Sequence, residues 1–223
     1  MNIKFTTALS TIYLLLVSSL SQAYEQGDWL VRGRVININP NETSSVVSSG
    51  TPLAPIAGSS VGVTDETILE LDFTYMFTKN WGGEIILGTS KHDVPALGTI
   101  AANNNIINAR ALPPTLTLQY HFLPDGDIRP YAGVGINYTK FFSEKVTGGI
   151  YQSGAEVEMD SSWGLATQLG VDIALDKDWF INADLKRIDM DTTAHFTGTT
   201  LGAAHVDVDI DPVIFGIGIG RRF

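Results

Sequence analysis

The sequence predicts an all-β fold, an eight-stranded antiparallel up-and-down transmembrane β-barrel, on three observations. The last eleven residues, Val213 to Phe223, alternate strictly, with Val213, Phe215, Ile217 and Ile219 on one face and Gly216, Gly218 and Gly220 on the other, the period of two of a pleated strand. Similar alternating runs recur along the chain, joined by connections that are long and short in turn. Aromatic residues gather at the strand ends, where the girdles of a membrane barrel belong.

The first 23 residues are expected to form a secretory signal peptide. Lys4 gives the positive start, Ala8 to Leu20 the apolar run, and Ser21-Gln22-Ala23 a small-x-small cleavage site. The run is too short and too interrupted by Ser and Thr for a membrane span. The remaining 200 residues, 24–223, suit one small barrel with four long extracellular loops and three short periplasmic turns. Loss of the leader removes Lys4 and no acid, taking the formal charge from −10 to −11. So acidic a chain, without a Lys/Arg cluster, speaks against nucleic acid as a partner. With no cysteine, disulfides cannot hold an exported chain together, whereas a closed ring of strands can. No window after the leader holds eighteen consecutive apolar residues, which excludes a helical membrane protein.

The strands follow in order. Trp29 to Ile38 sets Trp29, Val31, Gly33 and Val35 against Arg32 and Arg34. Ile68 to Phe77 has the clearest alternation, with Leu69, Leu71, Phe73, Tyr75 and Phe77 opposite Glu70, Asp72, Thr74 and Met76. A tight Thr78-Lys79-Asn80 turn leads to the return strand Trp81 to Ser90. Thr115 to Phe122 and Arg129 to Phe141 flank a Pro-Asp-Gly turn, and Trp163 to Leu175 and Trp179 to Met190 flank Asp176-Lys177-Asp178. His205 to Phe223 is expected as one final strand whose phase shifts at Pro212, where a bulge would re-aim the side chains. The stretches Asn39 to Val63, Lys91 to Leu112, Phe142 to Ser161 and Asp191 to Ala204 are polar and rich in turn residues, and are expected as loops.

Alternation alone also fits a soluble calyx, which differs only in which face points inward. The aromatic strand ends, a second face crowded with Gly and small polar residues, and the lopsided connections favour apolar side chains facing lipid. Arg32, Arg34, Glu70, Asp72, Glu84, Asp172, Asp184 and Lys186 then point into the lumen, where they would form a charge plug or simply pair because buried charges must. Ile36, Ile38, Met76, Ile86, Ile188 and Met190 share those inward faces and are candidates for the lining of an apolar cavity or plain volume filling. Pro113 and Pro114 remove two N–H donors where a strand emerges, a candidate lateral gap or an ordinary strand start. Asp207, Asp209 and Asp211 share a face, but Pro212 stands where a calcium loop needs Gly. The four histidines show no metal-ligand spacing, and Gly216-Ile217-Gly218-Ile219-Gly220 precedes no helix, so neither metal nor cofactor is expected. His121 near Asp172 or Glu84 is the only acid–base arrangement worth weighing, and no enzymatic activity is expected.

Two stretches, Leu112-Pro-Pro-Thr-Leu-Thr-Leu-Gln-Tyr-His-Phe122 and Arg129-Pro-Tyr-Ala-Gly-Val-Gly-Ile-Asn-Tyr138, with Asp211-Pro212 leading into an aromatic-terminated last strand, resemble the OmpW family of small outer-membrane proteins. One departure is Arg221, where barrels of this kind usually carry an aromatic two residues before the end. The resemblance implies a monomeric barrel in the outer-membrane lipid of a Gram-negative bacterium. It also implies a narrow apolar cavity opening outward, a periplasmic end closed by side chains, and passage of small hydrophobic molecules with exit through the wall. Eight strands leave room for side chains or one small ligand, which excludes a wide aqueous pore. The alternative is a sealed barrel whose outer loops serve as a receptor for phage, bacteriocin or host molecules.

Overall fold

A computed structural model describes residues 23–223; the expected leader, but for Ala23, lies outside the described residues. Eight strands form the wall: β1 Trp29–Asn39, β2 Glu66–Met76, β3 Trp81–Gly88, β4 Thr115–His121, β5 Ile128–Val146, β6 Ser162–Ala174, β7 Trp179–Ile188 and β8 Val213–Arg222. Each pairs antiparallel with the next, and β1 pairs with β8 over ten residues, Leu30↔Arg222 to Asn39↔Val213. The ring is closed, so no wall edge is left to template aggregation.

Orientation follows from burial. Leu69, Leu71, Leu118 and Ile217 lie on the outside, Leu69 at 77% exposure, while Arg32, Asp72 and Glu84 are fully buried inside. An inverted pattern would suit water; this one suits hydrocarbon. The apolar band begins with contacting aromatics at the short-turn end: Trp29 on Tyr75 and Tyr75 on Phe77, and Trp81 on Tyr120 and Tyr120 on Phe122. It ends near Tyr138 and Trp163, whose ring centroids are 4.7 Å apart. Among the described residues no helix is long and apolar enough to cross a membrane, so the strands make the crossing.

The long connections differ from expectation. They are folded largely into strands that prolong the barrel. β5 runs on to Val146 and pairs with Asn105–Leu112, which pairs with Ser90–Gly98, then with Ser59–Val61. Facing them, Glu156–Met159, Asp191–Thr199 and Gly202–Asp209 form a second sheet edged by short pieces at Thr43–Ser44 and Ser48–Ser49. These strands bury Val94, Ala96, Ala109, Ala111, Ala194, Phe196, Val206 and Val208 in one apolar cluster. Their turn signals sit at the hairpin tips, where Gly98, Asn104, Gly148, Gly198 and Gly202 hold positive φ, which only residues tolerant of the left-handed region supply cheaply.

The final strand also differs. Gly202–Asp209 belongs to the second sheet, and β8 starts afresh at Val213. The phase change is a break rather than a bulge: Asp211 takes φ 38°, and its carboxylate accepts the Met190 N–H at 3.0 Å.

Candidate functional site: a charged floor under an apolar chamber

The lumen has two levels. In the lower one, toward the short turns, Arg32 Nε and Nη2 donate to Asp172 at 3.1 and 2.7 Å, and Nη1 reaches Asp72 at 3.2 Å and Thr74 Oγ1 at 2.8 Å. Arg34 Nη2 contacts Asp72 Oδ2 at 2.5 Å and Glu70 Oε1 at 2.9 Å. Lys186 Nζ donates to Glu70 at 2.6 Å and lies 3.5 Å from Asp184. Glu84 meets only Arg32 at 3.5 Å and Arg34 at 3.9 Å, and its two oxygens accept no hydrogen bond from protein. All eight expected plug residues thus come together in one network, and none exceeds 5% exposure. In a low-dielectric interior such charges persist only when paired and hydrogen-bonded.

Polar neighbours outside that set complete the network. Tyr131 Oη and Gln168 Nε2 donate to Asp184 at 2.9 and 2.8 Å, and Asn182 Nδ2 donates to Asp172 at 2.8 Å. Strand parity would have placed these three inward. Tyr24 carries no such signal because it precedes β1, yet its side chain is buried and its hydroxyl donates to Asp172 at 2.9 Å. Its ring meets His121 edge-on, and the Arg129 guanidinium lies 4.3 Å from its centroid. The His121 ring is packed against Tyr24 and Tyr131 and touches Gln119 Oε1 at 3.3 Å, a structural rather than an acid–base setting. β8 makes room for the arginines: a Cβ on Gly218 would lie 2.0 Å from the Gly33 carbonyl oxygen and 2.7 Å from Arg34 Cα.

Above this floor the lumen is apolar. A narrow cavity of about 50 Å³ is lined by Ile38, Ile188, Met190, Ile210, Ile214 and Phe141, among others, with Ile36 in the same cluster. Its volume holds little more than a water or two as it stands, so a larger guest must displace the flexible methionine side chains Met159 and Met190 that border it. Two expected lining residues lie elsewhere. Met76 is at the opposite end, packed with Tyr24, Leu30 and Phe180, because inward positions near the short turns close the bottom. Ile86 is buried opposite Asp72 and Thr115 and falls outside the cavity lining.

Pro113 lines the cavity, and the Pro pair interrupts the wall. β3 pairs with β4 as far as Ile86↔Thr115, and pairing resumes only at Ser90↔Ala111. Leu87–Thr89 therefore face Leu112–Pro114 with no ladder between them. On the other side Asn137 Nδ2 donates to the Pro113 carbonyl at 3.2 Å, and the Tyr138 N–H donates to that of Pro114 at 3.1 Å. The pairing of β2 with β3 also stops at Glu70↔Gly88. A notch on the outer surface touches Leu69, Gly88, Thr89 and Leu112 at this seam.

The closed eight-stranded ring, its apolar exterior with a girdle of aromatics, and its polar floor define an outer-membrane β-barrel. The family model described as OmpW family matches residues 25–223, and the chain belongs to that family. Outer membrane protein W of Escherichia coli strain K12 is 36% identical over 228 residues, covering 99% of each chain. The dibenzothiophene metabolism operon protein PahQ of Pseudomonas aeruginosa is 28% identical over 203 residues, covering 89% of this chain and 90% of that one. Among solved structures, the outer membrane protein OprG of Pseudomonas aeruginosa matches with a TM-score of 0.82 at 32% identity, over 91% of this chain and 99% of that one. The protein is thus an outer-membrane protein of a Gram-negative bacterium.

Proposed function

We propose that this barrel passes small hydrophobic molecules from the cell exterior into the apolar chamber and out sideways through the wall, acting as a monomer in outer-membrane lipid. The observation that carries the reading is the change of lumen chemistry with height. An apolar guest can lie among Ile38, Ile188, Met190 and Ile214, but cannot continue down the axis without breaking the buried ion pairs below. The unpaired seam at Leu87–Thr89 and Leu112–Pro114 lies at the level where that descent stops, and opening it sacrifices no ladder hydrogen bonds. The four long connections then face outward and the three short turns face the periplasm. The name of PahQ, which ties that relative to the metabolism of an apolar sulfur heterocycle, agrees with this class of cargo.

The test is uptake of a fluorescent apolar probe into liposomes holding the purified barrel. Flux above that of empty liposomes is expected, and it should fall when Pro113 and Pro114 are both replaced by Ala, which restores two donors and lets the seam close. Flux equal to that of empty liposomes would sink the reading and leave a sealed barrel whose outer surface serves as a receptor. Flux that survives the double substitution would retain the chamber and discard the lateral exit.

A further inference from the structure

The prolonged end of the barrel carries a second arrangement of side chains that the passage of apolar molecules does not use. His195 and His205 stand directly opposite one another on the hairpin formed by Asp191–Thr199 and Gly202–Asp209, with ring centroids 6.5 Å apart. Glu158, on the neighbouring strand, is directly opposite His195 on its other side. The three side chains therefore form one rung across three adjacent strands, on the same face of the sheet, since directly paired residues share a face. Asp160 Oδ2 lies 3.3 Å from His195 Nε2, and both side chains are more than half exposed.

We propose that His195, His205 and Glu158 bind a divalent transition-metal ion of the zinc, nickel or copper class, with Asp160 orienting His195. Two imidazoles and a carboxylate are the ligand set that suits these ions, and water would fill the remaining positions. The contact from Asp160 engages Nε2 and leaves Nδ1 of His195 for the metal, the usual division of labour for a carboxylate–histidine–metal triad. Among the described residues no three such side chains already stand at ligating distance, so the ion must draw them in. Two imidazoles on one tetrahedral ion have centroids roughly 5 Å apart, given bonds of about 2.0–2.1 Å. The rings need to close by little more than an ångström, which side-chain rotation on an exposed face can supply. A groove beside the rung is lined by Glu144, Glu156 and Glu158 against the single cation Lys145, so the local field favours a cation. The bound ion would clamp three strands of the second sheet together.

Titration of the intact barrel in detergent micelles with Zn²⁺, followed by calorimetry, tests the assignment. One site is expected. Asp160→Asn should weaken it by roughly tenfold, the lower end of the loss caused by removing an outer carboxylate partner. His195→Gln and His205→Gln should each weaken it further. His92→Gln is the control, because the His92 ring is already held by the Thr64 carbonyl and Ser90 at 2.7 and 2.8 Å, and its affinity should match the unaltered protein. Substoichiometric Cu²⁺ should broaden amide signals around residues 158–160, 193–197 and 203–207. No zinc binding by the unaltered barrel, unchanged affinity in the His195→Gln, His205→Gln double variant, or broadening centred elsewhere would each overturn the proposal.

Discussion

The lower and upper lumen are built from the same strands yet have opposite chemistry, and each of β1, β2 and β7 changes from one to the other once. Going up β1 the inward residues read Arg32, Arg34, then Ile36 and Ile38; up β2 they read Asp72, Glu70, then Ile68; up β7, Asp184, Lys186, then Ile188. Registration aligns the switch on β1 and β2, because Arg34 pairs with Glu70 and Ile36 with Ile68; on β7 it comes later, since Lys186 pairs with Ile214, which in turn pairs with Ile38. Each of the three strands thus turns from charged to apolar once, with Lys186 reaching furthest toward the chamber. A single change of this kind on each strand makes a floor, whereas scattered charges would make only a rough wall. It also separates two modes of holding the barrel shut: ion pairs that tolerate no missing partner below, and adaptable aliphatic packing above.

The largest effect should come from breaking the floor. Arg32→Met removes the cation shared by Asp172 and Asp72, leaving the buried Asp172 without its main partner and Asp72 with Arg34 alone. A loss of about 3–5 kcal/mol is expected, read as a lower unfolding midpoint in detergent. A smaller loss would mean that water reaches the floor and that the contrast between the two levels is weaker than drawn. Next comes the chamber. Ile188→Asp places an unpaired carboxylate among apolar side chains, a burden of several kcal/mol if it stays dry. Apolar probe flux should then fall by roughly tenfold or more while the Arg32 network keeps the barrel folded. Unchanged flux would show that cargo bypasses the chamber. Smaller still is Glu84→Gln. Five acids face Arg32, Arg34 and Lys186 in the network, and Glu84 is the acid without a hydrogen bond. Replacing it with a neutral amide should shift stability by no more than about 1 kcal/mol in either direction. A loss as large as that of Arg32→Met would make Glu84 an equal member of the floor.

The wall and the floor were legible in the sequence because both follow from a period of two. Once the apolar face is assigned to lipid, Arg32, Asp72, Glu84 and Lys186 must face inward. The height at which each inward residue sits was not legible, since it depends on cross-strand register; that is why Met76, inward by parity, proves to belong to the bottom closure rather than the cavity. The upper sheets were masked for a different reason. Their inward residues, such as Ala109, Ala111 and Ala194, are small, and their outward ones are polar and close to Gly and Asn tips, so local composition resembles loop. His195 and His205 show no ligand spacing along the chain, and only the hairpin register brings them together. Tyr24 stands outside any periodic run, and it fills the lower mouth only because the chain before β1 folds back to pack it on Leu30, Met76 and Phe180.

Beneath the floor, two short turns offer the finest comparison. In both, the residue before the turn donates its N–H across it: those of Phe77 and Leu175 go to the carbonyls of Trp81 and Trp179, each at 2.8 Å. The next residue folds its side chain back over the turn. Thr78 Oγ1 accepts the N–H groups of Asn80 and Trp81 at 3.2 and 3.0 Å, and Asp176 Oδ1 accepts those of Asp178 and Trp179 at 2.8 Å each. The geometry is shared, but only Asp176 can be protonated. Hydrogen bonds from the Trp179 and Asp178 amides hold its carboxyl below the usual carboxylate range. A depressed folded-state value gives stability that is present above the unfolded value and is lost as pH falls through the folded one. Acid should therefore lower the protection of the Asp178 and Trp179 amides, measured against the intrinsic exchange rate at each pH, while leaving that of Asn80 and Trp81 unchanged. Asp176→Thr should copy the first turn, with a small effect at neutral pH and no acid response of its own. Equal acid sensitivity at the two turns would point to loosening that spreads from the buried network above rather than from Asp176.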